Sequence, residues 1–328
     1  MKGKRMHRIN SAIIGFGDFT NNIIIPFMNK TGGYRIKAGL VHSPERIDYV
    51  TQKFSLEYAT TDYQKILNDN DIHAVFIATR HHQHKEQIIA AIKAGKAVFT
   101  EKPMSMTRSD AEQISQVVNN EKGKLMIGFN RRFSPLIVKL KQALHKIESP
   151  YIINYRWINK AWTDTWPFDP VYGGGKLISS GCHMIDLVLY IMGKMPQSIN
   201  ASIGKLHHKN IKTHDTVSIM MNFNDGSIVN ILSGEMGAQG YPQEKLEVFT
   251  NFGVIVLDDF KTLKFYDIAE ENMSFRGQEK GFIEEFLAFH GYLQDGCVSP
   301  CGVEDGLNVA ICINACLDTS QMNRKFFI

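Results

Sequence analysis

Lys102 lies in the segment Thr100–Pro103, directly after an apolar run over 97–99 that is typical of a buried strand. A lysine at the carboxyl end of a parallel strand faces the cleft in which open α/β sheets bind ligands, and its ammonium group can donate to a substrate oxygen. Pro103 fixes the turn and favours an extended backbone at Lys102. Considered alone, these residues are better explained as a solvated lysine beside a turn.

A glycine-rich segment follows the first predicted strand, which covers 10–14. Gly15 and Gly17 match the first two positions of the G-x-G-x-x-G phosphate-binding pattern, and Thr20 stands at the third. Gly15 would form the tight turn, Gly17 would let the backbone approach a pyrophosphate, and the next helix would offer free N–H groups. The predicted cofactor contacts are Gly15, Phe16, Gly17, Asp18, Phe19 and Thr20. An ordinary strand-to-helix turn that uses glycine for its backbone freedom is the alternative.

The end of the second predicted strand, over 34–41, bears on the choice between NAD and NADP. No aspartate closes this strand to bind the ribose hydroxyls of NAD. Ser43 and Arg46 are candidates to receive the 2′-phosphate of NADP, whereas Glu45 keeps NAD possible. Both cofactors therefore stay open at this point.

The bulk properties of the chain favour a globular protein of a reducing compartment. Its 328 residues carry 37 basic and 33 acidic side chains, a balance that argues against nucleic-acid binding. No apolar stretch approaches the roughly 20 residues of a membrane span, and the basic segment 1–8 leads into a strand rather than a signal peptide. The cysteines number five and are sparse, which favours the cytoplasm over an oxidising compartment.

Hydrophobic patterns divide the chain near residue 130. Before it, short apolar runs alternate with helical patterns, which indicates a parallel sheet with right-handed crossovers. After it, adjacent strand candidates and the hairpin turn Asn224–Gly226 indicate a mostly antiparallel sheet. We therefore expect domains over 1–129 and 130–328. The first has predicted strands at 10–14, 34–41, 73–78, 97–100 and 124–128 and helices at 44–54, 85–94 and 109–119. The second has predicted strands at 151–157, 216–223, 227–232, 246–250, 254–257 and 263–266 and helices at 180–192 and 280–294.

Several short motifs along nearly the whole chain match one family at compatible spacing. They are 78–80, His84, 94–98, 101–103, 128–133, 166–169, 173–175, 181–186 and 303–306. Together they resemble the Gfo/Idh/MocA family of oxidoreductases. The resemblance implies an α/β protein with an N-terminal Rossmann domain and a C-terminal α/β domain that has an open, mostly antiparallel sheet. It also implies NADP or NAD as cofactor, and hydride transfer at a carbinol or carbonyl of a sugar, nucleotide sugar or inositol. We expect a homodimer or homotetramer formed through that sheet, with neither nucleic acid nor membrane as a partner.

The same resemblance assigns roles to particular side chains. It makes Lys102 and His183 the catalytic pair, in which Lys102 orients the reacting oxygen and His183 transfers its proton. Histidine suits that task because it titrates near neutral pH, although a buried histidine bonded to a backbone group is the structural alternative. Further cofactor contacts are expected from Thr79, Arg80, His84, Glu101 and Lys102. Substrate contacts are expected from Asn130, Arg131, Trp166, Asp169, Ser179 and Asp186.

The substrate-side residues have structural alternatives as well. Arg131 presents forked donors that suit a substrate phosphate or carboxylate, but it could equally form an internal salt bridge. Trp157, Trp162 and Trp166 could stack on a sugar face, although aromatic rings more often serve packing.

One position departs from the family pattern. Many members carry an aspartate four residues before the catalytic histidine, whereas this chain has Ser179, which supplies no charge. Three explanations stay open: His183 works with Lys102 alone, a carboxylate such as Asp186 or Asp169 contributes, or redox turnover has been lost. Ser179 favours one alternative for the whole protein, a nucleotide-binding regulator. The resemblance leaves open a second, a lyase or glycosidase that uses NAD transiently, as some relatives do.

No metal site is expected. The closely spaced His81, His82 and His84 would need a further ligand and a defined geometry to hold one. The cysteine pairs also discounted are Cys297 with Cys301, on a predicted loop, and Cys312 with Cys316, in an apolar helical run typical of buried thiols.

Overall fold

The computed structural model describes residues 7–296 and 298–322, which form two compact units. The first contains the described residues up to Gly128 together with Phe282–Leu307. The second contains Phe129–Gly281 together with the described residues from Asn308 onward. Phe282–Leu307 thus belong to the first unit although they follow most of the second unit in sequence. The predicted division near residue 130 placed them in the second domain.

Strands and helices alternate in the first part of the chain and give way to consecutive strands in the second. The strands are β1 (Ile9–Ile14), β2 (Tyr34–Leu40), β3 (Tyr58–Thr60), β4 (Ala74–Ile77), β5 (Ala97–Glu101), β6 (Leu125–Gly128), β7 (Ile152–Ile158), β8 (Ser198–Gly204), β9 (Thr216–Asn222), β10 (Ile228–Gly234), β11 (Glu244–Phe249), β12 (Val254–Asp258), β13 (Thr262–Tyr266) and β14 (Met273–Ser274). The α-helices are α1 (Ile25–Thr31), α2 (Ile47–Phe54), α3 (Tyr63–Leu67), α4 (His84–Lys93), α5 (Arg108–Asn120), α6 (Pro135–Leu144), α7 (Cys182–Met192), α8 (Phe282–Asp295) and α9 (Val303–Met322). Short π-helical turns precede α1 at Thr20–Ile24 and α7 at Leu177–Gly181.

The first unit is built on a six-stranded sheet with the order β3-β2-β1-β4-β5-β6. All the pairings in this sheet are parallel. The residues of β4 and β6 are buried without alternation, as expected when helices cover both faces of a parallel sheet. This strand order is that of a dinucleotide-binding Rossmann fold, which confirms the fold predicted for the N-terminal part.

A cluster of phenylalanine rings attaches α8 to the first sheet. Phe76 of β4 and Phe99 of β5 stack at 5.3 Å between ring centroids. Phe286 of α8 lies 5.3 Å from Phe99, and Phe289 lies 5.5 Å from Phe76. These four side chains are almost completely buried, so α8 belongs to the core of the first unit although it follows the second in sequence.

The second unit is built on an eight-stranded sheet with the order β14-β13-β12-β11-β7-β10-β9-β8. Its pairings are antiparallel except for that of β7 with β10. In β10, Val229 and Ile231 are buried whereas Ile228 and Leu232 are exposed. This alternation is typical of a sheet with one covered and one open face, and it confirms the predicted open, mostly antiparallel sheet.

Candidate active site

The phosphate loop begins directly after β1. Gly15 has a φ of +100°, and a Cβ atom on it would lie 2.8 Å from the carbonyl oxygen of Ala78. Only glycine fits such a position without a shift of backbone. A Cβ atom on Gly17 would meet no described atom within 4 Å, so the backbone there is open to the outside. Both glycines therefore have the geometry that their predicted roles require.

Thr20, at the position of the third glycine, joins the loop to the helix behind it. Its Oγ1 donates to the carbonyl oxygen of Gly15 at 2.9 Å, and its side chain is buried. Asp18 and Phe19 are exposed, whereas the Phe16 ring is buried. A Cβ atom on Gly39 would lie 2.6 Å from that ring, so the side chain of Phe16 packs closely against β2.

The segment after β2 lies against the same loop. Arg46 Nη2 donates to the carbonyl oxygen of Phe16 at 3.0 Å, which places the guanidinium group at the glycine-rich turn. The Ser43 hydroxyl beside Glu45 lowers the pKa of that exposed carboxyl group, favouring its charged form. Arg46 thus lies at the phosphate loop, and the role of Ser43 and Arg46 in receiving a 2′-phosphate stays a prediction.

Lys102 follows the end of β5 and is half-buried. The preceding Glu101 is buried, which raises its pKa to about 7 against the opposing effect of the Lys102 charge. A Cβ atom on Gly128 would lie 3.2 Å from Glu101 Oε1, so the carboxyl group packs closely over β6. The peptide bond between Lys102 and Pro103 is cis.

His84 links this turn to the end of β4. Its side chain is completely buried, with Nδ1 2.7 Å from the carbonyl oxygen of Pro103 and Nε2 3.1 Å from that of Thr79. Thr79 Oγ1 also donates to Gln87 Oε1 at 2.6 Å, whereas Arg80 is exposed. Both ring nitrogens of His84 thus face backbone carbonyls, and the contact of this residue with a cofactor stays a prediction.

His183 lies in the first turn of α7, in the second unit. It is buried between two aromatic rings, with its centroid 5.9 Å from that of Phe129 and 6.1 Å from that of Trp157. Ser179 is buried in the π-helical turn that precedes α7, four residues earlier. The second unit thus brings the serine to the same end of the helix as the histidine.

A histidine that the sequence analysis missed fixes the start of that turn. Leu177 N donates to His214 Nε2 at 3.0 Å, and Lys176 N donates to the carbonyl oxygen of His214 at 2.9 Å. Burial lowers the pKa of His214 to about 4, which keeps Nε2 as an acceptor. Gly175 has a φ of +89°, and a Cβ atom there would lie 2.8 Å from the His214 ring. The glycine run 173–175 therefore allows this close approach.

A buried ion pair next to the turn was also missed. Lys176 and Glu235 are almost completely buried and bonded to each other, and Lys176 Nζ donates to Asn159 Oδ1 at 2.6 Å. Glu235 Oε2 accepts from the backbone N–H of Trp162 at 2.7 Å. Lys176 Nζ lies 4.6 Å from the centroid of the Trp162 ring. This cluster fixes the loop after β7 against the turn that bears Ser179.

The charged residues predicted to bind substrate have internal partners. Arg131 donates from Nε and Nη2 to the Glu244 carboxylate at 2.9 and 2.8 Å. Burial alone would raise the pKa of Glu244, but the charges of Arg131 and Lys280 lower it to about 2. Asp186 likewise accepts two bonds from Arg132 at 2.8 and 2.6 Å.

The other predicted substrate residues shape loops. Asn130 Nδ2 donates to the carbonyl oxygen of Lys280 at 2.7 Å. Asp169 Oδ1 accepts from the backbone N–H groups of Val171 and Tyr172, at 2.8 and 3.1 Å, and so forms the turn that leads into the glycine run. Trp166 is half-buried in the short 3₁₀ segment just before it.

Within residues 7–296 and 298–322, no group of three or more His, Cys, Asp and Glu side chains is placed to hold a metal ion. Cys182, Cys301, Cys312 and Cys316 are buried, and burial raises the pKa of the Cys312 and Cys316 thiols to about 12. Cys297 lies outside the described residues. Over the same part of the chain, none of the helices combines the length and apolar character needed to cross a membrane.

Two family models match the chain. Residues 9–129 match an oxidoreductase family model described as an NAD-binding Rossmann fold, and residues 145–256 match the C-terminal domain model of the same family. The chain belongs to the Gfo/Idh/MocA family of oxidoreductases. This confirms the resemblance drawn from the motifs.

Individual members of the Gfo/Idh/MocA family resemble the chain over most of its length. The oxidoreductase YrbE of Bacillus subtilis is 27% identical over 314 residues, which cover 92% of this chain and 91% of that protein. Myo-inositol 2-dehydrogenase of Thermotoga maritima is 28% identical over 223 residues, or 66% of each chain. A levoglucosan dehydrogenase solved with NADH and levoglucosan has a TM-score of 0.85 at 22% identity, with coverage of 96% of this chain and 98% of that one.

Proposed function

We propose that this chain is an NADP(H)-preferring dehydrogenase that interconverts a secondary hydroxyl and a ketone on a polyol or anhydrosugar. The observation that carries the proposal is the continuous edge of the first sheet. There the phosphate loop at Gly15 contacts Thr79, and His84 joins Thr79 to the turn that bears Lys102. The relatives named as inositol and levoglucosan dehydrogenases support the substrate class.

The first unit has residues that fit a dinucleotide. The open backbone at Gly17 and the N–H groups of the following turn would bind its pyrophosphate. The bound nicotinamide supplies the hydride acceptor or donor. Lys102 would hold the reacting oxygen through its ammonium group, which favours negative charge developing there.

The proton released on oxidation needs an acceptor, and we assign this role to His183. An imidazole can take the hydroxyl proton as the carbon loses its hydride, which leaves the ketone neutral. Ser179 supplies no charge, and Asp186 is already bound to Arg132. We therefore propose that His183 and Lys102 carry the chemistry without a further carboxylate.

Arg46 supports the preference for NADP(H). Its guanidinium group lies at the phosphate loop, next to the end of the strand where a dinucleotide places its adenosine ribose. Arg46→Ala should raise the Kd of NADPH by about tenfold and leave that of NADH within about threefold, because it removes a charged donor to the 2′-phosphate. Titration of intrinsic fluorescence measures both constants, with Arg108→Ala, an exposed arginine of α5, as the control. Equal losses for both cofactors would contradict the preference.

The substrate class is tested with purified protein, NADP⁺ or NAD⁺, and a panel of inositols, levoglucosan, free sugars and nucleotide sugars. The proposal predicts cofactor reduction with at least one cyclic polyol or anhydrosugar, seen as nicotinamide absorbance. Cofactor binding without turnover across the panel would instead support a nucleotide-binding regulator, for which the presence of Ser179 is the motivating feature. Hydrolysis or elimination with retained cofactor would support a lyase or glycosidase.

We also propose a homo-oligomer formed through the open face of the second sheet. Phe249, Ile152 and Ile228 are neighbours across β11, β7 and β10, and all three are exposed. A row of apolar side chains on an open sheet favours association with a second copy. The cytoplasmic location stays a prediction based on the sparse cysteines.

A further inference from the structure

We propose that His84 is a positioning residue for Lys102, acting through the turn at Pro103. The inference rests on the proposed catalytic role of Lys102 and assigns to His84 a function other than cofactor binding. His84 is a buried bridge between the two chain segments that border Lys102 at the sheet edge. Its imidazole would keep the ammonium group of Lys102 at the place where the reacting oxygen must lie.

The bridge is made of two contacts to backbone. His84 Nδ1 lies 2.7 Å from the carbonyl oxygen of Pro103, and Nε2 lies 3.1 Å from that of Thr79. Proline has no N–H, so the carbonyl is its only backbone hydrogen-bonding group, and His84 supplies the donor to it. The turn bearing Lys102 is thus connected to the end of β4 by one side chain.

The far end of the bridge is itself fixed. Thr79 Oγ1 donates to Gln87 Oε1 at 2.6 Å, one turn further along the helix that begins at His84. A Cβ atom on Gly15 would lie 3.0 Å from Thr79 Cγ2, so the phosphate loop packs on the same residue. Thr79 is therefore held in place by the loop expected to bind the cofactor, and His84 connects Thr79 to the turn that bears Lys102.

The proton count indicates which contact is the stronger. A neutral imidazole has one N–H, whereas both ring nitrogens face acceptors, so only one contact is a full hydrogen bond. Burial favours the neutral ring, as do the charges of Lys102 and His82 nearby. We assign the proton to Nδ1, which makes the shorter contact and is directed at Pro103. The Pro103 contact is therefore the one that should matter for Lys102.

This assignment leads to a test with two amide variants. In His84→Asn the amide nitrogen takes the place of Nδ1, whereas in His84→Gln it takes the place of Nε2. The asparagine should keep the bond to Pro103, and the glutamine should keep only the contact to Thr79. His84→Ala removes both, and His82→Ala, an exposed neighbour, is the matched control.

The first readout needs no substrate. The four variants and the wild type are labelled with an amine-acylating reagent, and the labelling rate of Lys102 is measured by peptide mass spectrometry relative to exposed Lys209. Loosening of the turn should raise the labelling rate of Lys102 about fivefold in His84→Ala and His84→Gln. This factor corresponds to the loss of one neutral hydrogen bond. His84→Asn and His82→Ala should stay close to the wild type. An unchanged Lys102 rate in folded His84→Ala would overturn the proposal.

The second readout is turnover with the substrate found in the panel. We expect kcat to fall tenfold or more in His84→Ala, with the Kd of NADPH within about threefold, because a displaced catalytic group slows the chemical step. His84→Asn should recover most of that loss and His84→Gln little. Equal kcat values for the two amide variants would overturn the proposal, even if His84→Ala does not fold. If the wild type turns over nothing, the proposed function fails and the labelling rates still decide the role of His84.

Discussion

At the scale of single residues, the structure separates groups of similar type into different roles. Arg131 and Asp186 have the chemistry of ligand-binding residues, but each has a charged partner within its own unit. A buried ion pair is retained because removal of one partner leaves an uncompensated charge. Residue type alone could not reveal these pairs, because Arg131 and Glu244 are 113 positions apart in the chain. Lys102 and His183 could be proposed because each lies within a motif of the family.

The pH dependence of stability is a residue-scale prediction that concerns His214. Its pKa is lowered from 6.5 to about 4, so between these values the folded protein binds fewer protons than the unfolded chain. The contribution of His214 to the free energy of unfolding should therefore be constant above pH 6.5 and should fall by about 3 kcal/mol in total as the pH drops through this window. The raised pKa of Glu101 acts in the opposite direction, so the contribution of His214 is measured as the difference between the wild type and a His214 variant. Urea unfolding across the window measures this, since the midpoint reports stability.

The matched variant for that experiment is His214→Gln, whose amide oxygen can accept from Leu177 without titrating. The acid-dependent loss of stability should be smaller in this variant than in the wild type. Equal pH dependence in both proteins would show that His214 is not the group responsible.

At the scale of elements, hydrophobic patterns predicted those parts of the fold that bury continuous or alternating apolar runs. The predicted strands at 10–14 and 97–100 correspond to β1 and β5, and the alternation at 227–232 corresponds to β10. The three-residue β3 was not predicted, because a strand so short leaves no periodic pattern. The helix predicted at 180–192 is preceded by a π-helical turn that begins at Leu177. The local pattern could not predict this turn, because its contacts with His214 come from a distant loop.

The two glycines of the phosphate loop give an element-scale prediction with an internal control. Gly15→Ala places a side chain at positive φ against Ala78 and should lower the free energy of unfolding by about 1–3 kcal/mol. Gly17→Ala meets open space within the chain and should leave stability nearly unchanged. Because we propose that the pyrophosphate of the cofactor approaches the protein backbone at Gly17, this variant should still weaken NADPH binding about tenfold or more. Thermal unfolding and cofactor titration measure the two effects, and unchanged binding by Gly17→Ala would place the cofactor elsewhere.

At the scale of the whole molecule, the second unit presents a broad sheet with one open face. The row of Phe249, Ile152 and Ile228 on that face could not be derived from any single strand, because it depends on the order β11-β7-β10. That order includes the parallel pair of β7 with β10, which joins strands far apart in sequence. Association through this face would cover the apolar row.

A charged substitution at the β10 end of that row tests the assembly. Ile228→Lys should convert the proposed oligomer to smaller species, because burying an unpaired charge in an apolar interface is strongly unfavourable. Leu206→Lys, at an exposed position outside the described strands, is the control and should not change the mass. Light scattering coupled to size-exclusion chromatography measures the mass. An oligomer that persists unchanged in Ile228→Lys would exclude this face as the interface.

Our proposal that Lys102 and His183 act on one hydride transfer is tested most directly by their double-mutant cycle. We would measure kcat for the wild type, Lys102→Met, His183→Asn and the double variant with the best substrate of the panel, together with the Kd of NADPH. Each single variant should lower kcat about a hundredfold or more, and the double variant should be little slower than the worse single one, because both groups serve the same step. Cofactor affinity should change little. Wild-type turnover in His183→Asn, or fully multiplicative losses in the double variant, would contradict the account.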